Sequence, residues 1–195
     1  ITVDSSLSAG TYTVTVEATD GITTHSEAID LTILGSTAGS GLSFAMSTLS
    51  AGGTFTLSVK SDGSVQSWGS NGFGQLGNND IGMDSDVPMD VLGPDGSTSL
   101  QNIVTVAAGD THALALREDG TVWSWGQAKE GMLGISELWV GEFGFSGVDS
   151  AGDPIDYVPF AVPVCSLTDI VAIAAGAFHS LALNNVGQVY SFGNN

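Results

Sequence analysis

The sequence predicts an all-β chain in which a partial β-propeller follows the C-terminal hairpin of a β-sandwich. Three observations predict the propeller: a segment that recurs three times in register, alternation of large and small side chains within it, and a glycine turn that follows each copy. The chain has 195 residues, of which 42% are hydrophobic. That share is large enough for a packed core and argues against a disordered chain.

The repeat is a run of nine residues that begins at residues 51, 108 and 175 and aligns without gaps. Its first glycines, Gly52, Gly109 and Gly176, are 57 and then 67 residues apart, so the variation in length lies between the copies. A turn glycine follows eleven positions later, and an aromatic–glycine pair follows after it. The aromatic residues of these pairs are Trp68, Trp125 and Phe192.

Within each copy, alternate positions carry large and small side chains, as in a strand with two different faces. In the second copy, Leu114 and Leu116 are on the large face, whereas Ala113 and Ala115 are on the small face. A sheet with one face in water would carry Lys, Glu or Gln there, so we expect each sheet to be covered on both sides by neighbouring blades. Segments rich in Val and Pro, around residues 87–89 and 162–164, complete four-stranded blades.

This combination resembles the repeat of the regulator of chromosome condensation family. The resemblance rests on Ala-Gly, a His three residues after that Gly, Asp-Gly, an aromatic–Gly pair, and the Gly-Gln-Leu-Gly tail within residues 71–77. It covers about residues 43–195 and implies a seven-bladed propeller, of which this chain holds about three repeats. Phe55 departs from the pattern, because it stands where the repeat has His. The third copy stops in mid-repeat, so we expect the other blades to come from the rest of a parent chain or from other chains.

Residues 1–34 follow a different pattern. Two alternating segments on either side of Asp20-Gly21 resemble the last hairpin of a cadherin-like or immunoglobulin-like sandwich. Residues 35–42 are rich in Gly and Ser and are predicted to be a linker, so the predicted domains are 1–34 and 43–195. Asp20 resembles a cadherin-like carboxylate position. It makes calcium possible, although one carboxylate is too few for a site, and no other cofactor is predicted.

The charge of the chain argues against partners that are themselves strongly anionic. Asp and Glu number 21 against three basic residues, which gives a net charge of −18. Nucleic acids and anionic membranes are bound by clustered Lys and Arg, so neither is expected as a partner. Membrane insertion is not expected either, because no stretch reaches about 18 apolar residues. The charge suits an extracellular, cell-surface or virion-appendage location, and it also suits a protein that needs solubility in salt.

The polar residues of the repeat are predicted to be structural. His112 and His179 occupy the same repeat position, and we expect each ring to bond a neighbouring backbone group. Asp110, His112 and Ser180 include the residue types of a Ser-His-Asp triad, but no nucleophile elbow accompanies them. Cys165, the only cysteine, is expected to be a small buried residue. No catalytic residue is predicted, and the chain is not expected to be an enzyme.

A long insertion in the second repeat, residues 135–157, is the predicted binding region. Loops on a rigid propeller are frequent binding sites, and aromatic residues anchor protein interfaces. The predicted partner-binding residues are Trp139, Phe143, Phe145 and Tyr157. The alternative is that these rings form a private core on the blade below.

The predicted function is non-catalytic protein recognition or adhesion as part of a large extracellular, surface or virion protein, with a protein or cell-surface receptor as the partner. One alternative, implied by the family resemblance, is a guanine-nucleotide exchange factor for a small GTPase. The other is a hydrolytic enzyme with a site on the propeller rim.

Overall fold

The computed structural model describes residues 10–19, 24–33, 48–135, 145–148 and 154–194. It divides into two compact units, Ile1–Ala45 and Met46–Asn195. In the first unit, β1 (Gly10–Thr19) and β2 (Thr24–Ile33) pair antiparallel along their whole length. The assignment of this hairpin to a cadherin-like or immunoglobulin-like sandwich stays a prediction. Asp20 lies outside the described residues, and the calcium hypothesis with it.

The second unit consists of three antiparallel sheets, which we call blades 1, 2 and 3. Blade 1 has the strand order β3 (Leu49–Ala51), β4 (Phe55–Val59), β5 (Val65–Gly69) and β6 (Ser85–Asp90). Blade 2 has the order β7 (Ile103–Ala108), β8 (His112–Arg117), β9 (Val122–Gln127), β11 (Pro154–Pro163) and β10 (Phe145–Val148). Blade 3 has the order β12 (Ile170–Ala175), β13 (His179–Asn184) and β14 (Val189–Gly193). A short 3-10 helix, Lys129–Gly131, follows β9. The predicted all-β partial propeller is confirmed.

The turn between the second and third strands of each blade depends on a glycine and a polar side chain. Gly63 and Gly120 both have a φ of +80°, a left-handed conformation that glycine adopts without steric cost. The carboxylate of Asp62 accepts hydrogen bonds from the backbone and hydroxyl of Ser64, and these bonds lower the pKa of Asp62. Blade 3 has no Asp here, and the Asn184 side chain accepts from two backbone N–H groups of the turn instead.

The segments rich in Val and Pro form the outer strands, as predicted. In blade 1, Ser67 and Gly69 of β5 face Met89 and Ser85 of β6, so two extra residues bulge out of β6. Blade 2 repeats this offset between β9 and β11, where the register shifts between residues 158 and 162. Pro88 and Pro159 lie in the two bulges. Proline suits a bulge because it has no N–H to give to the ladder.

The core lies between the blades and pairs a large face with a small one. Phe55 and Leu57 of blade 1 belong to one buried cluster with Ala113 and Ala115 of blade 2. The large face of blade 2 then packs on blade 3, in a second cluster that includes Leu114, Leu116 and Ala182. The interlocking of large and small faces explains the alternation in the sequence.

Cys165 is exposed, so the prediction of a buried thiol is wrong. The preceding Val164 is buried in the core between blades 2 and 3. The chain turns immediately afterwards, and Ser166 has a φ of +61°. The apolar neighbours indicated burial, but the core ends one residue before the cysteine. In the part of the chain that the structure describes, no helix is long and apolar enough to cross a bilayer.

Candidate functional site at the blade junctions and the outer edge of blade 2

The glycine that opens each repeat is needed because an aromatic ring lies directly on its Cα. A Cβ added to Gly109 would overlap the His112 ring, and one on Gly176 would overlap the His179 ring. The same holds in blade 1, where a Cβ on Gly52 would lie 2.5 Å from Phe55 Cε1. Glycine and the ring three residues later therefore form one packing unit, which explains why they recur together.

His112 is fully buried and bonds across the junction to blade 3. Its Nε2 lies 2.9 Å from Ser180 Oγ, and Ser180 Oγ donates to the carbonyl of Met132 at 2.8 Å. Because the hydroxyl proton is directed to Met132, Nε2 must carry the imidazole proton and donate it to Ser180. The other nitrogen, Nδ1, is buried and has no hydrogen-bond partner among the described residues. His112 is therefore neutral.

Burial holds His112 in this neutral form. The pKa of His112 is lowered from 6.5 to about 4, mainly by desolvation and also by the nearby His179, while Asp110 opposes the shift. The prediction of a structural partner in the backbone needs correction, since the partner is a side chain of the next blade. The chain separation of 68 residues hides that partner from local sequence patterns.

The structure brings His112 and Ser180 together, yet the pair does not have the properties of a catalytic dyad. Both side chains have 0% exposure, so no substrate reaches them. A catalytic histidine is held in place by a group on its second nitrogen, and Nδ1 of His112 has no such bond among the described residues. The arrangement does fix the distance and register between two blades.

At the junction between blades 1 and 2, the carbonyl that corresponds to that of Met132 accepts its hydrogen bond from a different side chain. Trp125 Nε1 donates to the carbonyl of Gln75 at 2.9 Å, and Gln75 holds the repeat position of Met132. Blade 3 has Phe192 at the Trp125 position, and Phe has no N–H. Ser180 supplies the missing donor, in the place where blade 2 has Ala113. Blade 3 thus lacks the indole N–H donor at position 192 and gains a hydroxyl donor at position 180, so its two differences from blade 2 compensate for each other.

Small residues line the inner ends of the blades, where the three sheets come close together. Gly53 N–H donates to the Gly109 carbonyl at 3.2 Å, and Asp110 N–H donates to the Ala177 carbonyl at 3.1 Å. A shallow concave surface of about 300 Å³ is formed there by residues 51–53, 108–110 and 175–177. Eight of these nine residues are Ala or Gly, which allows the backbones to approach closely.

The insertion of the second repeat adds a strand to the outer edge of blade 2. Strand β10 pairs with the first residues of β11 and places Phe145 opposite Tyr157. Tyr157 is half-buried and makes further contacts. Trp139 and Phe143 lie outside the described residues. A recess of about 560 Å³ lies at this edge, and its described lining includes Glu130, Leu133 and Asp156.

Residues with metal-binding side chains do not form a centre in the described part of the chain. No group of three or more His, Cys, Asp or Glu side chains is arranged to hold a metal ion there. The predicted partner-binding and repeat positions thus divide into two sets. The repeat positions hold the blades together, and the described insertion residues Phe145 and Tyr157 lie at the outer edge of blade 2.

Family models for the regulator of chromosome condensation (RCC1) repeat match the three blades. One matches residues 62–116, and a second with the same description matches residues 47–75, 103–131 and 170–195. Human E3 ubiquitin-protein ligase HERC2 is 30% identical over 145 residues, 74% of this chain and 3% of that protein. The ultraviolet-B receptor UVR8 of Arabidopsis thaliana is 34% identical over 146 residues, 74% of this chain and 28% of that protein.

Solved structures give the same result. The crystal structure of Prp20p from Saccharomyces cerevisiae matches with a TM-score of 0.62 and 28% identity, covering 76% of this chain and 33% of that one. The work on Prp20p describes its binding to Gsp1p and histones. Mouse regulator of chromosome condensation is 32% identical over 73% of this chain and 30% of that protein. The chain therefore spans no more than about a third of these relatives.

Proposed function

The chain belongs to the RCC1 repeat family, and on that premise we propose that it is a non-catalytic protein-recognition module that binds through the loops of its propeller. The observation that carries the proposal is the asymmetry of blade 2. Its repeat core follows the same pattern as the other blades, but the insertion adds a fifth strand at the outer edge. Loops that vary on a constant scaffold are where binding specificity resides.

The recurring polar residues support a non-catalytic role. His112, Ser180 and the Met132 carbonyl satisfy one another in the interior of the blade junction. A buried group engaged in this way is not available to bind or activate a substrate. The E3 ubiquitin-protein ligase activity named for HERC2 belongs to a protein of which this chain covers 3%.

Charge supports a protein partner over a nucleic acid. The net charge is −18, and two of the three basic residues have partners within the propeller. Lys60 lies 3.2 Å from Asp90, and the Arg117 guanidinium lies 5.5 Å from the centre of the Trp123 ring. A partner with a basic or neutral surface fits this charge, and phosphate backbones do not. The same acidity motivates our proposal of an extracellular, cell-surface or virion location.

The insertion provides a direct test. Trp139→Ala and Phe143→Ala together remove two aromatic anchors, while Phe178→Ala removes an aromatic of blade 3 that is 46% exposed and serves as the control. We expect proteins captured by the immobilised chain to be lost with the double variant and retained with the control. Equal recovery by all three proteins would reject the insertion as the binding region.

Exchange-factor activity is the alternative, and the similarity to Prp20p favours testing it. The assay is release of a fluorescent guanine nucleotide from a small GTPase of the kind that Prp20p binds, with and without this chain. If the chain recognises proteins but has no exchange activity, it will not accelerate nucleotide release, whether or not it binds the GTPase. For the location, antibody labelling of intact cells or virions is expected to detect the chain without permeabilisation.

A further inference from the structure

The recess at the outer edge of blade 2 borders a loop that has a counterpart in blade 1. The two loops, residues 71–77 and 128–134, occupy the same position in their repeats. Their backbones are alike, since Gly74 and Gly131, at the fourth position of each loop, have φ values of +72° and +74°. Any difference in the space beside the two loops therefore results from their side chains.

In blade 1 a single buried amide fills the loop. Asn71 has 0% exposure, and its Nδ2 donates to Asn78 Oδ1 at 3.2 Å and to the carbonyl of Asp80 at 3.0 Å. Its Oδ1 accepts from the N–H of Leu76 at 3.1 Å. The amide thus closes the loop and supplies an acceptor to the main chain.

Blade 2 has no such amide, and a recess lies beside the same positions. The residues of blade 2 that correspond to those three side chains are Ala128, Leu133 and Ile135, and all of them line the recess of about 560 Å³. Ala128 has no side-chain acceptor to offer to the N–H of Leu133. The recess is therefore apolar where blade 1 is polar, and its volume lies in the range of about 300–1,000 Å³ that ligand pockets have.

The charge around the recess selects the kind of occupant. Glu130 and Asp156 are exposed and line it, and its described lining includes no basic residue. Residues 130–157 contain six acidic residues and no Lys, Arg or His. A cationic group is attracted to such a region. Arginine and lysine combine a cationic head with a long apolar stem, so they match both the charge and the apolar lining.

We propose that this recess binds an arginine or lysine side chain from a basic segment of a partner protein. The aliphatic stem lies on Ala128 and Ile135, and the cationic head lies between Glu130 and Asp156. A carbonyl of the same segment supplies the acceptor that Ala128 does not give to the Leu133 N–H. The inference rests on the proposed recognition function and gives the partner its chemistry.

Two matched peptides test the role of charge. The first is an acetylated and amidated pentapeptide, Gly-Leu-Arg-Leu-Gly, and the second has citrulline in place of the arginine, which keeps the shape but removes the charge. Each is titrated into the full chain labelled with nitrogen-15, and the amide signals of Leu133 and Ile135 are followed. We expect the arginine peptide to shift these signals to saturation and to bind about tenfold more tightly than the citrulline peptide.

Three variants test the site. Ala128→Asn introduces the side chain that fills the loop of blade 1 and leaves the net charge unchanged, so we expect it to weaken binding of the arginine peptide about tenfold or more. Glu130→Gln removes one carboxylate of the recess and should weaken binding about twofold to fivefold. Glu118→Gln, which makes the same change of charge at an exposed turn, should leave the affinity unchanged. Thermal unfolding checks that each variant is folded.

Three results would overturn the proposal: no saturable shift of the Leu133 and Ile135 signals, equal affinity for the two peptides, or wild-type affinity in Ala128→Asn. These results differ from a failure of the proposed function. If the immobilised chain captures no protein while the arginine peptide binds at the recess, recognition through the insertion fails and the recess stands. If capture depends on Trp139 and Phe143 while the peptide does not bind, the recess assignment falls alone.

Discussion

His112→Phe should make the protein less sensitive to acid, and the size of the effect follows from the buried imidazole. The pKa of His112 in the folded protein is about 4, against 6.5 for an ordinary histidine. Between these values the unfolded chain binds a proton that the folded chain does not. Stability contributed by the neutral ring is therefore complete above about pH 6.5 and is lost as the pH falls towards 4. At about 1.4 kcal/mol per pH unit, the loss is about 3 kcal/mol.

Phenylalanine is a suitable replacement because Phe55 fills the equivalent position in blade 1. Urea unfolding of both proteins at pH values from 7.5 to 4 gives the free energy of unfolding at each pH. Carboxylates such as Asp62 and Asp119, whose hydrogen bonds lower their pKa values, are present in both proteins, so their effects cancel in the difference. As the pH falls from 6.5 to 4, we expect the free energy of unfolding of the wild-type protein to decrease by about 3 kcal/mol relative to that of His112→Phe. Parallel curves would refute a buried neutral His112.

Three further predictions concern other parts of the propeller. Gly109→Ala should destabilise the propeller by about 1–3 kcal/mol, because the added methyl group overlaps the histidine ring, whereas Gly72→Ala meets nothing within 4 Å and should be silent in thermal unfolding. Trp125→Phe should cost about 2–4 kcal/mol by leaving a buried carbonyl of blade 1 without its donor, and adding Ala113→Ser should recover about 1 kcal/mol in urea titrations; no recovery would contradict the donor exchange. Asp95 has a pKa of about 2 because it accepts two backbone hydrogen bonds and one from a hydroxyl, so Asp95→Ala should speed hydrogen exchange of those two amides and leave the core amides unchanged.

The sequence predicts the blades well because a repeat constrains every copy in the same way. Alternation and the turn glycines located the three hairpins, and the Val and Pro segments located the outer strands. Periodicity identifies which positions recur, but it does not reveal which side chain faces which across a junction. His112 and Ser180 were both visible as repeat positions, and their contact depends on the stacking of two blades.

Residues without a repeat partner were the difficult ones. The predicted burial of Cys165 rests on its apolar neighbours alone, and a turn places this residue outside the core. The insertion has no counterpart in the other copies, so the partner-binding role of its aromatic residues is predicted only from their chemistry. The structure places Phe145 and Tyr157 opposite each other in the added hairpin, and their partner-binding role stays a prediction.

The pairing of His112 with Ser180 across a blade junction has a consequence for how such proteins change over time. One blade carries the imidazole, and the neighbouring blade carries the hydroxyl that accepts its N–H. Moving one of these repeats to a new place in the ring separates the two side chains, while moving both neighbours together preserves the pair. Repeats of this kind are therefore inherited most safely in adjoining pairs, and an isolated repeat is a poor unit for recombination or for engineering.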